Sequence, residues 1–241
     1  MRLGGGQTMS LTLFELRARD GQRYSQFSWR ATMALAHKGL QAAHTPVCVS
    51  DKAAIAFSSQ DKVPILVDGN DVIPDSWRIA EHLESRYPDA PSLFGGETGH
   101  GLARFINAWV DRTLIARLVP LLAADVVPML DETDGLYLRR QFERLFGRPL
   151  EELAAARDKD IVAFRRLLDP ARAVMRAQPF LSGADPAYAD YILFSLLQWA
   201  RIVSTFEVLD PKDPLTAWRE RMLDLFGGLA RTQISFSPTE G

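Results

Sequence analysis

Lys62-Val63-Pro64-Ile65-Leu66-Val67-Asp68-Gly69-Asn70-Asp71-Val72-Ile73-Pro74-Asp75-Ser76 is the stretch on which the reading of this chain turns. A proline at the head of the apolar run Ile65-Leu66-Val67 occupies one of the few strand positions where its missing N–H costs no ladder bond. If Val63-Pro64 is cis, the turn presents the Val63 N–H and C=O outward, free to pair with an extended peptide ligand. Asp68-Gly69-Asn70 then reverses the chain into Val72-Ile73, a hairpin whose loop is expected to be longer than the tightest type. Asp75-Ser76 opens a helical pattern to Arg86, with Ile79, Ala80 and Leu83 on one face. A carboxylate beside a helix N-terminus suits the amino and carboxylate ends of a bound peptide. The plainer alternative is that both residues only cap the helix; the proline turn beside them favours the ligand.

Upstream, Leu11-Thr12-Leu13-Phe14-Glu15-Leu16 alternates with period two and predicts a first strand. Ser28 precedes good helix formers from Trp29 to Ala36, and Gly39 stands where a helix C-cap belongs. Thr45 to Val49 predicts a second strand, parallel to the first across a right-handed crossover. Ala53 to Ser58 reads as either a short helix or an irregular loop. The order βαβ, connector, ββα is the thioredoxin-like pattern of an α/β layer, and a mixed four-stranded sheet follows from it.

Downstream, Tyr87-Pro88-Asp89-Ala90-Pro91 breaks the pattern, and Gly95-Gly96 with Gly99 and Gly101 reads as a linker. Everything beyond is helical in period. Phe105, Trp109, Arg112 and Ala116 fall at helical spacing, with Pro120 near the end. Leu150 to Met175 carries a long pattern that Pro170 must end or kink. Tyr188 to Val203 is apolar almost all round and predicts the central buried helix; Ala217 to Leu225 closes the bundle. The expected organisation is an α/β unit over residues 9–94 and an all-helical unit over residues 101–230. Met9 reads as an alternative start, with Met1 to Thr8 an extension or a scar.

Composition excludes several classes. A net charge of -2 gives no electrostatic case for nucleic acid or an anionic membrane surface. No apolar stretch approaches ~20 residues, so no membrane span is expected. The one cysteine, Cys48, rules out an internal disulfide and a Cys-x-x-Cys redox pair, fits a reducing compartment, and reads as a buried mid-strand residue. His37, His44, His82 and His100 lack the short paired spacing of metal ligands, so no metal is expected. The expected location is cytoplasmic.

Ser25 is the first catalytic candidate. A thiol bound there would meet a helix N-terminus and a hydroxyl donor, both of which favour thiolate. Each unit by which the thiol pKa falls corresponds to ~1.4 kcal/mol. The competing reading makes Ser25 or Ser28 a helix cap; Ser28 is assigned the cap and Ser25 the chemistry. Lys62 is placed to meet a carboxylate of the peptide.

These residues together resemble the cytosolic glutathione transferase superfamily from about residue 10 to 230. The resemblance rests on Ser25-x-x-Ser28-Trp29-Arg30, Lys38-Gly39, Val63-Pro64, Asp75-Ser76 and Gly183-Ala184-Asp185-Pro186-Ala187-Tyr188-Ala189-Asp190. It implies a cis proline, Val63 pairing with the cysteinyl backbone of glutathione, Asp75 and Ser76 holding the γ-glutamyl end, and Ser25 tuning the sulfur. Asp75-Ser76-Trp77-x-Ile79-Ala80-Glu81 and Tyr87-Pro88-Asp89-x-Pro91 look most like bacterial β-aryl-etherases and fungal serine/asparagine-type transferases, as does a long helical insertion around Phe142 to Leu153. One departure stands out. Ala187 replaces the usual Ser or Thr before the helix aspartate Asp190, so Asp185 or the preceding turn is expected to compensate for the missing hydroxyl.

The resemblance implies a glutathione transferase that activates the thiolate for attack on a hydrophobic, aromatic electrophile, with β-aryl ether cleavage among the reactions. Phe27, Trp109 and Arg112 are the expected walls of the acceptor site, and a homodimer is implied. The rival reading is a carrier of apolar ligands that keeps the fold without turnover. Thiol–disulfide exchange is disfavoured, because no cysteine stands at the position of Ser25.

Overall fold

The computed structural model describes residues 11–232, so the expectation for Met1 to Met9 lies outside the described residues. Leu11 and Leu13 of β1 (Leu11–Leu16) face the core while Thr12 and Phe14 are only partly covered, as the alternation predicts. After α1 (Gln26–His37), β2 (Ala42–Val47) pairs parallel to β1 with Leu11 opposite Ala42. β3 (Ile65–Asp68) runs antiparallel to β1, and β4 (Asp71–Pro74) antiparallel to β3. The result is the expected mixed sheet, in the order β2-β1-β3-β4. Pro46 is tolerated in β2 because that strand lies on the sheet edge.

Local corrections follow from particular residues. Asp68 pairs with Asp71, so the hairpin loop is Gly69-Asn70 alone, the tightest type and not a longer one. Gly69, at φ +61°, supplies the left-handed conformation such a turn requires. β2 begins at Ala42 and ends at Val47, so Cys48 lies beyond the strand and is half-buried, not a core residue. α1 begins before Ser28: Ser25 is its N-cap, with extended backbone and Oγ accepting from Ser28 N at 3.3 Å. Ser28 is therefore inside the helix, not its cap. Ala53–Ser58 resolves to a 3-10 helical turn.

The hairpin leads directly into α2 (Ser76–Arg86). Gly99 lies in α3 (Glu97–Trp109), where a Cβ would meet Phe94 O at 1.8 Å, so no larger residue fits. A wide π-helical turn, Val110–Leu114, joins α3 to α4 (Ile115–Val126). That turn rotates everything after it around the helix axis. Phe105 and Trp109, one turn apart before it, share a face of α3 (Phe105 69% exposed, Trp109 half-buried on the core), but Arg112 and Ala116 do not continue that face. Pro120 lies within α4 rather than near its end.

α5 (Glu132–Phe146) is capped by Asp131 and ends at Gly147. The helical insertion expected around Phe142 to Leu153 spans the end of α5, a break at Gly147 and the start of α6 (Leu150–Leu167). Pro170 sits in the first turn of α7 (Asp169–Met175), as its chemistry requires. α8 (Tyr188–Val203) is the central helix, with Tyr188, Tyr191, Phe194 and Leu197 fully buried. α9 (Pro214–Gly228) starts earlier than the apolar pattern indicates and leaves helical geometry at Leu225–Gly227. No helix among the described residues is long and apolar enough to cross a membrane.

One apolar core runs from Leu11 of the sheet through α8 to Ala230. α1, which carries Ser25 at its head, packs against α8 and α2. Arg30 of α1, 1% exposed, donates to Ser195 Oγ at 3.3 Å, Asn107 Oδ1 at 2.9 Å and Asp111 Oδ1 at 2.6 Å. The turn before α8, rather than Asp185, compensates for Ala187. Asp190 accepts from Leu181 N at 2.7 Å, Ser182 N at 3.0 Å, Ala187 N at 3.3 Å and Trp218 Nε1 at 3.1 Å. Burial still holds its carboxyl above the ordinary range.

Candidate functional site

Ser25 stands at the junction of two cavities, because the loop after β1 delivers it to the first turn of α1. The first, of about 520 Å³, lies along the loops of the sheet and is lined by Leu16, Ser25, Phe27, Cys48, Lys62 and Val63. The second, also about 520 Å³, is largely apolar and opens between sheet and helices, with Ser25, Phe27, Val119, Leu138, Phe142 and Trp199 among its walls. A third cavity, polar and about 1090 Å³, is lined by Phe27, Asp75, Ser76, Arg104, Asp111 and Arg112. Phe27 borders all three.

The Ser25 side chain is 7% exposed at residue level, and its oxygen accepts from Ser28 N. Its proton is donated to no group among the described residues, so it is available to a sulfur bound at the N-terminus of α1. Ser28, also buried, has an Oγ without a partner among the described residues and lines none of the three cavities. The Val63-Pro64 bond is cis. The Val63 N–H and C=O make no hydrogen bond among the described residues, while Pro64 O is occupied by Asp75 N at 3.1 Å. Lys62 is exposed on the rim of the first cavity.

Asp75 holds φ +77°, a conformation costly for a residue with a Cβ. Its Oδ1 caps α2 by accepting from Trp77 N at 2.9 Å and Arg78 N at 3.2 Å. The cap and the ligand readings of Asp75 are therefore compatible: one oxygen serves the helix, and the other is not engaged by it. Ser76, at the first position of α2, is buried, and its C=O accepts from Tyr188 Oη at 2.7 Å.

The structure thus groups Ser25, Lys62 and Val63 around one cavity, Asp75, Ser76 and Arg112 around another, and Phe27 with both. Arg112, within the π turn, lines the polar cleft rather than the apolar one, and Trp109, at the end of α3, lines none of the three. Val119, Leu138, Phe142 and Trp199 had no distinguishing signal, since each reads in sequence as one more apolar position of a packed helix.

Val49, which lines both of the first two cavities, sits in a loop held by a charge. Asp134 of α5, 2% exposed, accepts from Val49 N and Ser50 N, each at 3.0 Å, and from the Ser50 hydroxyl. Burial pushes its carboxyl up, but these bonds outweigh it and hold the group below its ordinary value. Burial and the nearby Asp134 raise the Cys48 thiol, which keeps it protonated rather than nucleophilic. Cys48, Asp131 and Asp134 converge closely enough to suggest a metal centre. The donor set does not fit one, because the Asp134 oxygens are already engaged by the loop and the thiol favours its proton.

Comparison with known proteins matches residues 21–91 to the N-terminal domain of glutathione S-transferase and residues 101–225 to its C-terminal domain. The glutathione S-transferase-like protein ustS of Aspergillus flavus is 32% identical over 140 residues, covering 52% of this chain and 49% of that protein. The chain thus spans about half the length of that relative. In fold, it is similar to glutathione transferase GSTFuA2 of Phanerochaete chrysosporium, with TM-score 0.73, 23% identity and coverage of 93% of this chain and 95% of that one. It is also similar to CsGST63524 of Ceriporiopsis subvermispora, solved with glutathione, at TM-score 0.71, 19% identity and coverage of 93% and 94%. A family match across both halves, on a chain with this sheet, this cis proline and this helical bundle, identifies it: the protein belongs to the glutathione S-transferase family.

Proposed function

We propose that the protein is a glutathione transferase acting on a hydrophobic aromatic electrophile, with a glutathione-binding unit over residues 9–94 and an acceptor-binding helical unit over residues 101–230. The single observation that carries the reading is the Ser25 hydroxyl, at the head of α1 between the loop cavity and the apolar cavity, with its proton uncommitted. Val63 would pair with the cysteinyl backbone of glutathione through its free N–H and C=O. Lys62 would meet the glycyl carboxylate at the rim. Asp75 and Ser76 would hold the γ-glutamyl end.

With glutathione so placed, its sulfur faces Ser25 Oγ and the α1 N-terminus. The thiol gives up its proton to solvent, and the thiolate is stabilised by the serine O–H and the helix dipole. It attacks an electrophilic carbon in the apolar cavity, forming a C–S bond as the leaving group departs with its electron pair. For a β-aryl ether that group is an aryloxide, which takes up a proton. Cytoplasmic location and a homodimer belong to the same reading; exposed Leu102 and Phe105 on α3 supply apolar surface that a second copy would cover.

Ser25→Ala tests the assignment. The hydrogen bond to a charged sulfur contributes about 1.5–3 kcal/mol, so the pKa of bound glutathione should rise by about 1–2 units. Thiolate absorbance of the binary complex against pH gives that value directly. An unmoved pKa would remove Ser25 from the chemistry.

A further inference from the structure

In the polar cleft between α2 and α3, arginines outnumber the acids that could neutralise them. Arg104 and Ala108 of α3 and Arg112 of the π turn line one side; Asp75, Ser76 and Arg78 at the head of α2 line the other. The remaining acids of the cleft are committed. Both oxygens of Asp111 are taken, by Arg30 Nη2 at 2.6 Å and Asn107 Nδ2 at 2.8 Å. Glu81 pairs with His100 Nε2 at 3.1 Å. Arg104 and Arg112, both exposed, have no carboxylate partner among the described residues.

Water alone can satisfy an exposed arginine, but the placement of these two is specific. Arg104 lies over the Trp77 ring at 4.6 Å, and Trp77 N in turn donates to Asp75 Oδ1 at 2.9 Å. Stacking holds a guanidinium by its face and leaves its N–H edge free to grip a carboxylate. Ala108, midway between the two arginines in sequence and on the same wall, fills little of the space beside them.

A γ-glutamyl group carries an ammonium and a carboxylate on one carbon. Asp75 suits the ammonium and repels the carboxylate, while the positive end of α2 is already turned on Asp75 itself. The ligand carboxylate therefore needs a cation from across the cleft. We infer that Arg112 and Arg104 receive the α-carboxylate of the γ-glutamyl group, so that glutathione bridges α2 and the helical half. The inference rests on the transferase reading above, which supplies glutathione as the ligand. Asp75 takes the ammonium through the oxygen that does not cap α2. The Ser76 N–H, which has no acceptor among the described residues, faces the same carboxylate.

The test is calorimetric titration with glutathione and with 4-aminobutyryl-Cys-Gly, which keeps the amine and the thiol but lacks the α-carboxylate. About 0.15 M salt screens charges beyond ~8 Å, so a difference reports a near contact. Wild type should bind glutathione about tenfold or more tighter than the analogue. Arg112→Gln should lose about tenfold for glutathione and less than about twofold for the analogue. Arg104→Gln should show the same asymmetry. Arg112 is exposed and without a carboxylate partner, so its replacement leaves the fold intact, and an unchanged urea midpoint checks this. A purely structural role would weaken both peptides alike. If glutathione binds and Arg112→Gln weakens both peptides equally, or neither, the inference falls and the transferase reading stands. If the asymmetry appears but no aromatic electrophile is conjugated, the carboxylate assignment holds and the transferase reading fails. A wild type that takes up neither peptide overturns both.

Discussion

Arg30 Nη2 lies 2.6 Å from Asp111 Oδ1, joining the helix that presents Ser25 to the π turn that borders the polar cleft. The arginine side chain is 1% exposed and the aspartate 32% exposed, so the pair is buried from one side only. The cation is over-determined, with Asn107 and Ser195 accepting from its other nitrogens and Phe27 stacked 5.0 Å away. Phe27 in turn borders all three cavities, which makes this pair the connection between the helical half and the reacting hydroxyl.

Removing Asp111 leaves Arg30 buried with only neutral acceptors. Breaking a fully buried pair costs several kcal/mol, but partial exposure of the aspartate screens the loss, so Asp111→Ala should destabilise by about 2 kcal/mol. Urea unfolding of the variant against wild type measures it. A loss below ~0.5 kcal/mol would assign the pair no structural weight.

Asp134→Ala leaves the Val49 and Ser50 amides and the Ser50 hydroxyl without their shared acceptor. A cost of about 2–4 kcal/mol is expected at pH 7. The pH dependence follows from the sign. A carboxyl held below its unfolded value contributes stability above that value and loses it as pH falls through the folded value. The difference between wild type and variant should therefore be full at neutral pH and shrink below about pH 4. Unfolding curves at both pH values check this, and a constant difference would show that the charge of Asp134 contributes nothing.

Phe142→Ala opens the outer wall of the apolar cavity, where its ring stacks on Phe146 at 5.8 Å. The side chain is half-buried, so the truncation should weaken the acceptor more than the fold. Acceptor KM should rise about tenfold, equivalent to ~1.4 kcal/mol of lost contact, with a smaller effect on glutathione affinity. Steady-state kinetics with each substrate varied in turn separates the two.

Much of this architecture is legible because its signals are local. The alternation of Leu11 to Leu16, the apolar circumference of Tyr188 to Val203, and Pro64 at a strand head each constrain the backbone within a few residues. Ser25 is instructive in the other direction. Cap preference alone does not separate Ser25 from Ser28, because both precede helix formers, and only the point where the first turn begins decides between them. Arg112 departs from expectation where the helix changes its period. A π turn inserts its extra residue without any composition signal, so a face drawn at regular helical spacing across residues 105–116 breaks in the middle. Trp199 and Phe142 reach one cavity only through tertiary packing of α5 and α8, which no periodicity encodes.

The most direct measurement is isothermal titration of wild-type protein, Asp75→Asn and Ser76→Ala with reduced glutathione. Asn at position 75 keeps a capping oxygen and tolerates the positive φ better than Ala would, so the helix survives the test. The account predicts saturable binding by the wild type and a loss of about tenfold or more in each variant, in keeping with a lost hydrogen bond to a charged group. A folded wild type that takes up no glutathione would contradict it.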